Sequence, residues 1–152
     1  MEHFFTQVLQ FSRRCQRFYV RQFQPLLAEY TLTMREMDVL LFLGNNPGCD
    51  TAREVTELRG LPKSQVSQAV ERLAERRFLL RTADSADRRI VHLTMTEEGQ
   101  ALTRQGQAIQ AACFHQVLRD LTPAERKTLE RLAEKILFSD ALNQPLEGGA
   151  SL

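Results

Sequence analysis

Apolar residues recur along this chain at two spacings, one helical and one alternating. In the first thirty residues Phe4, Val8, Phe11, Cys15 and Phe18 follow each other in steps of four and three. Phe5, Leu9, Tyr19 and Phe23 form a second, interrupted stripe on the same segment. Both have the period of an amphipathic helix, so one stripe is expected to face the protomer and the other a partner. Pro25 lies near the end of this helix. Thr33 and Glu36 make a Thr-x-x-Glu capping box that starts a second helix from about 34 to 43. The run Gly44, Asn45, Asn46, Pro47, Gly48 then breaks it.

A second capping box, Thr51 with Glu54, opens a short helix ending near Arg59 and Gly60, and Leu61 and Pro62 begin the next, with Pro at its first position. In that helix Val66, Val70 and Leu73, with Ala69 beside them, share one side, so Ser64, Ser67, Gln68 and Glu71 point the other way. The period then shortens. Phe78 to Ala83 and Arg89 to Met95 read as strands joined by the polar turn Asp84, Ser85, Ala86, Asp87. Thr96 caps a further helix, with Glu97 and Glu98 in its first turn, running to about Asp120. Thr122, Pro123 and Glu125 start a last one carrying Leu129, Leu132, Ile136 and Leu137.

This order predicts a mainly α fold, a winged helix-turn-helix with a two-stranded wing, flanked by N- and C-terminal dimerisation helices. Its parts are an N-terminal dimerisation helix (residues 1–30), a DNA-binding region (31–99), C-terminal dimerisation helices (100–142) and a flexible tail (143–152). The paired stripes of the first helix and the Leu/Ile stripe of the last exceed what one protomer is expected to cover, and a two-fold homodimer gives the surplus a partner.

Composition changes this picture little, and charge changes it locally. The 152 residues suffice for one domain with appended helices. No apolar run is long enough for a membrane span, no signal peptide is evident, and three scattered cysteines fit a reducing compartment, so a soluble cytoplasmic protein without membrane contact is expected. The net charge is only +1, but residues 59–92 hold eight basic and four acidic side chains, a local surplus where phosphate contact is suspected.

The segment TAREVTELRGLPKSQVSQAVERLAERRFL, followed by Asp87, Arg88, Arg89 and IVHLTMTEEG, resembles the two helix-turn-helix helices and the wing of the MarR family of winged-helix transcriptional regulators. The likeness covers nearly the full chain, with Pro62 and Gln68 departing from common family choices. It implies a homodimer whose first and last helices interlock, each winged helix reading half of a pseudo-palindromic operator in double-stranded DNA. It also implies a small anionic aromatic effector whose pocket residues the sequence leaves unassigned. A ligand-responsive repressor is the expected function.

By their chemistry, Ser64, Gln65, Ser67 and Gln68 are expected at base edges, with Gln68 the best candidate for direct readout. Lys63 and Arg72 are assigned to phosphates, and Arg88 or Arg89 to a minor groove, oriented by a charge-assisted pair with Asp87. Glu71 lies on the reading face and can accept from cytosine, whereas Glu75 is expected to pair with Arg72. An enzyme is not expected: there is no Gly-rich phosphate loop, Gly-x-Ser-x-Gly elbow or His-Glu-x-x-His motif. His3, His92 and His115 are isolated in sequence from acidic or nucleophilic partners. No cofactor or metal is expected, because Cys113 and His115 diverge around their helix. Two alternatives stay open: a winged-helix protein interaction module, and a redox-sensing regulator acting through Cys15 or Cys113.

Overall fold

A computed structural model describes residues 2–137 and Ser139. In chain order the elements are α1 (Glu2–Tyr30), α2 (Met34–Asn45), α3 (Ala52–Arg59), α4 (Lys63–Glu75), β1 (Leu79–Ala83), β2 (Val91–Met95), α5 (Glu97–Val117) and α6 (Pro123–Leu137). The mainly α, winged helix-turn-helix expectation holds. The expected tail, 143–152, lies outside the described residues.

The chain divides into two compact units, up to Phe114 and from His115 onward. The core of the first collects Phe23, Leu26 and Leu27 of α1, Met37, Leu40 and Leu41 of α2, Val55 of α3, Val66, Val70 and Leu73 of α4, Leu79, Leu93, and Leu102 of α5. The capping boxes at Thr33/Glu36 and Thr51/Glu54 are both fully formed, and Gly60 closes α3 in the left-handed region at φ 66°. In the second unit Thr122 and Glu125 exchange the same reciprocal bonds at the start of α6, whose Leu129, Leu132 and Ile136 are exposed.

Several boundaries differ from expectation, each for a local reason. The second helix passes through Gly44 and ends at Asn45, because Gly44 lies against α5, where a Cβ would come within 2.5 Å of Thr103 Cγ2. Pro62 is not the first helical residue but the N-cap of α4, extended at ψ 131°, with its carbonyl accepting from the Gln65 and Val66 amides. The strands are shorter than read, five residues each, paired antiparallel from Leu79 with Met95 to Ala83 with Val91. Within one protomer burial does not separate the two stripes of α1. Instead the helix divides along its length: Phe4, Phe5, Val8, Leu9 and Phe11 are all exposed, while Phe23, Leu26 and Leu27 are buried.

Two helix ends are held in Schellman turns with residues other than glycine at positive φ. After α1, Leu32 N–H bonds to Leu27 O at 2.8 Å with Thr31 at φ 51°. After α4, Phe78 N–H bonds to Leu73 O at 2.9 Å with Arg77 at φ 60°. The Arg76 guanidinium then joins these two ends, donating to the Tyr30 carbonyl and, at 2.9 Å, to that of Thr31, while stacked 5.2 Å above the Phe78 ring. Where β2 gives way to α5, Gly99 is required by contact: a Cβ there would meet Phe78 O at 2.1 Å.

Candidate nucleic-acid interface

Helix α4 is dry on one face and wet on the other. Val66, Ala69, Val70 and Leu73 are buried, and Lys63, Ser64, Gln65, Ser67, Gln68, Glu71 and Arg72 are exposed. The 3.6-residue period alone accounts for this division. No side chain caps the start of α4, whose N-terminal end lies at Lys63, and the positive end of the helix dipole there favours an anion.

The loop between β1 and β2 is built by its aspartates. Asp84 Oδ1 accepts from the amides of Ala86 and Asp87, each at 2.8 Å, and Asp87 Oδ1 accepts from the Arg89 amide at 3.0 Å. Asp84 N–H to Ile90 O and Ile90 N–H to Asp87 O, both 2.9 Å, close the loop. The expected pairing of Asp87 with an arginine side chain is therefore corrected: its carboxylate is spent on backbone in an Asx turn. Among the described residues neither Arg88 nor Arg89 has an ion-pair partner, and both are exposed.

Part of the local basic surplus is used inside the fold. Arg59 pairs with Asp38 of α2 at 3.1 Å, and Arg76 is bound to the two carbonyls ending α1. Arg72 lies 3.9 Å from the buried Glu36 carboxylate and keeps about half of its side chain exposed, so the expected pair with Glu75 does not form. Glu36 wins because it is fixed in place by its capping box. Lys63, Arg77, Arg81, Arg88 and Arg89 remain without an ion pair among the described residues, and they carry the outward charge of this region.

The sequence reading missed how the wing is fastened. Leu93 N–H bonds to Asp50 O at 2.7 Å and Thr51 bridges His92, so the segment entering α3 forms a short third edge of the sheet. His92 Nδ1 lies 2.9 and 3.0 Å from the two oxygens of Asp50, and its Nε2 lies 3.1 Å from Asp84 Oδ2. The Asp87 amide, then the His92 ring and the Ala86 amide, hold the Asp84 pKa down to about 2. Hydrogen bonds to Asp50 and then Asp84 raise the His92 pKa. The only available signal was a polar ring at a strand position, since Asp50 stands 42 residues away.

Residues 30–90 match the MarR family model MarR_2. Over that region the chain is similar to the MarR family. Transcriptional repressor MprA of Escherichia coli (strain K12) is 30% identical over 78 residues, 51% of this chain. The chain spans 44% of the length of MprA. BpsR of Bordetella bronchiseptica, whose DNA binding is regulated by 6-hydroxynicotinic acid, is 29% identical with a TM-score of 0.68, covering 86% of this chain and 98% of BpsR. CouR of Rhodococcus jostii RHA1, solved bound to p-coumaroyl-CoA, is 25% identical with a TM-score of 0.67, covering 83% of this chain and 88% of CouR.

Other chemistry finds less support. Among the described residues no three His, Cys, Asp or Glu side chains are grouped so that they could hold a metal ion, and none of the helices is long and apolar enough to cross a membrane. Cys113 is buried and burial pushes its thiol pKa up, which disfavours the thiolate that oxidation requires, while Cys15 is partly exposed.

Proposed function

We propose that this chain is a sequence-specific DNA-binding transcriptional regulator, a ligand-responsive repressor that binds a pseudo-palindromic operator as a homodimer. The observation that carries the reading is α4, whose buried apolar side leaves Ser64, Gln65, Ser67 and Gln68 facing outward, next in sequence to a wing whose Arg88 and Arg89 are unpaired among the described residues. In this reading Gln68 pairs with adenine, Ser64, Gln65 and Ser67 make shorter contacts to base edges, and Lys63 and Arg72 hold phosphates. Glu36 neutralises part of Arg72, so Lys63 contributes more. Arg88 and Arg89 enter a narrow minor groove, on a loop shaped by Asp87.

The exposed apolar half of α1 supports dimerisation, and two copies place their recognition helices about 34 Å apart, one DNA turn. The aromatic acid that regulates BpsR and the aromatic acyl thioester bound by CouR support an anionic aromatic effector here. Such a ligand acts only by favouring one dimer shape over another.

Fluorescence anisotropy on the DNA upstream of the chain's own gene, against scrambled DNA across a salt series, tests the reading. Tight binding to the native fragment alone is expected. Gln68→Ala should cost about 1–3 kcal/mol and relax the preferred sequence. Arg89→Ala should weaken binding more evenly. Equal, weak, steeply salt-dependent binding to both fragments would leave only phosphate attraction and defeat the proposal.

A further inference from the structure

We propose that His92 is a positioning residue for the wing: as an imidazolium held between Asp50 and Asp84, it locks the Arg88/Arg89 loop to the segment that enters the helix-turn-helix. Both ring nitrogens lie within hydrogen-bonding distance of carboxylate oxygens, Nδ1 at 2.9 and 3.0 Å from Asp50 and Nε2 at 3.1 Å from Asp84. An ionised carboxylate only accepts, and only the doubly protonated ring donates from both nitrogens. A neutral ring keeps one bond and turns a lone pair toward the other carboxylate.

Each bond has a different mechanical meaning. Asp50 immediately precedes the Thr51 cap of α3 and bonds by its own carbonyl to Leu93. Asp84 is the residue on which the wing loop folds, because its other oxygen holds the amides of Ala86 and Asp87. Losing the Nε2 bond therefore frees the organiser of the loop that carries Arg88 and Arg89. Among the described residues Asp50 and Asp84 are the charges that act on the ring. Asp50 faces it from the segment before α3 and Asp84 from the loop, β1 places Thr82 opposite, and Glu54 of α3 is turned to the amides of Asp50 and Thr51.

The sign of the pH dependence follows. The His92 pKa is raised, so its contribution is complete below the ordinary histidine value of about 6.5 and is lost as pH climbs through the raised one. The Asp84 pKa is lowered to about 2, so its contribution is complete above the ordinary aspartate value and fails only in strong acid. The lock is closed in mildly acidic solution and opens on the alkaline side. The consequence for DNA rests on the regulator reading above, and the lock itself does not.

The test is an NMR titration of the full chain from pH 5.5 to 9, following the His92 imidazole and the amides of Ala86 and Asp87, paired with anisotropy on the upstream DNA over the same range. The expected results are a raised His92 pKa and wing amides that lose exchange protection along the same curve. Affinity should fall by about fivefold, and His92→Gln should be flat with pH at the weaker level. Wing amides indifferent to His92, or an ordinary His92 pKa, would overturn the lock even if DNA is bound tightly. A salt slope that falls by about one as the ring deprotonates would make His92 a phosphate contact and overturn the positioning role. If the wing amides follow His92 but no DNA binds at any pH, the lock stands and the regulator reading fails.

Discussion

Phe11 and Phe23 are the same residue type on the same helix, yet Phe11 is 60% exposed and Phe23 is 0% exposed. Nothing in their immediate sequence separates them. What differs is the company each meets. Around Phe23 the fold supplies Tyr19, whose ring lies 4.8 Å away and whose hydroxyl accepts from Gln110 at 2.8 Å, together with the core of the first unit. Around Phe11, Val8 and Leu9 are exposed as well. Burial is thus a property of the place a helix reaches, and an apolar stripe records only that a partner is wanted.

The comparison can be broken most sharply at its buried end. Phe23→Ala should lower the unfolding free energy by about 3–5 kcal/mol through lost transfer energy and a residual cavity, read from urea or thermal denaturation. A loss no larger than that of Phe11→Ala would erase the distinction. At the exposed end, Phe5→Glu with Phe11→Glu should leave the circular dichroism of the winged helix in place and raise the dimer dissociation constant at least about a hundredfold, since charges desolvated at an apolar contact are costly. A mass by light scattering identical to wild type would show that this half of α1 is not where a second copy binds. Smaller effects sharpen the boundary behind Phe23. Thr33→Ala removes the cap of α2 and should cost about 1 kcal/mol. Thr31→Gly relieves the positive φ at the end of α1 and should gain about 0.5 kcal/mol, visible as a slightly higher Tm. An unchanged or lower Tm would mean that the Thr31 side chain compensates its own strain.

Legibility follows the range of the interaction. The capping boxes at Thr33, Thr51 and Thr122 were readable because each spans three residues, and so was the division of α4, where Val66 and Gln68 differ only by their angle around one axis. Gly44 reads locally as a helix breaker, because its close approach to Thr103 within α2 is invisible in the neighbouring sequence. Asp87 beside Arg88 and Arg89 suggests a charge-assisted pair, but the Arg89 backbone amide takes its Oδ1 instead. The Asp50, His92 and Asp84 cluster could not be read at all, since it exists only once the β-ladder brings distant segments side by side.

The Arg76 guanidinium, bound to the last carbonyls of α1, makes the far end of α4 a pivot. Helix α4 has 13 residues, and at a rise of 1.5 Å each its reading end stands about 20 Å from that pivot. A tilt of about 5° there sweeps Ser64 through nearly 2 Å, well beyond the tolerance of a hydrogen bond to a base. If α4 reads DNA as proposed, whatever moves the end of α1 needs only a small angle to lift its outer face off the bases, and the lever arm supplies the amplification.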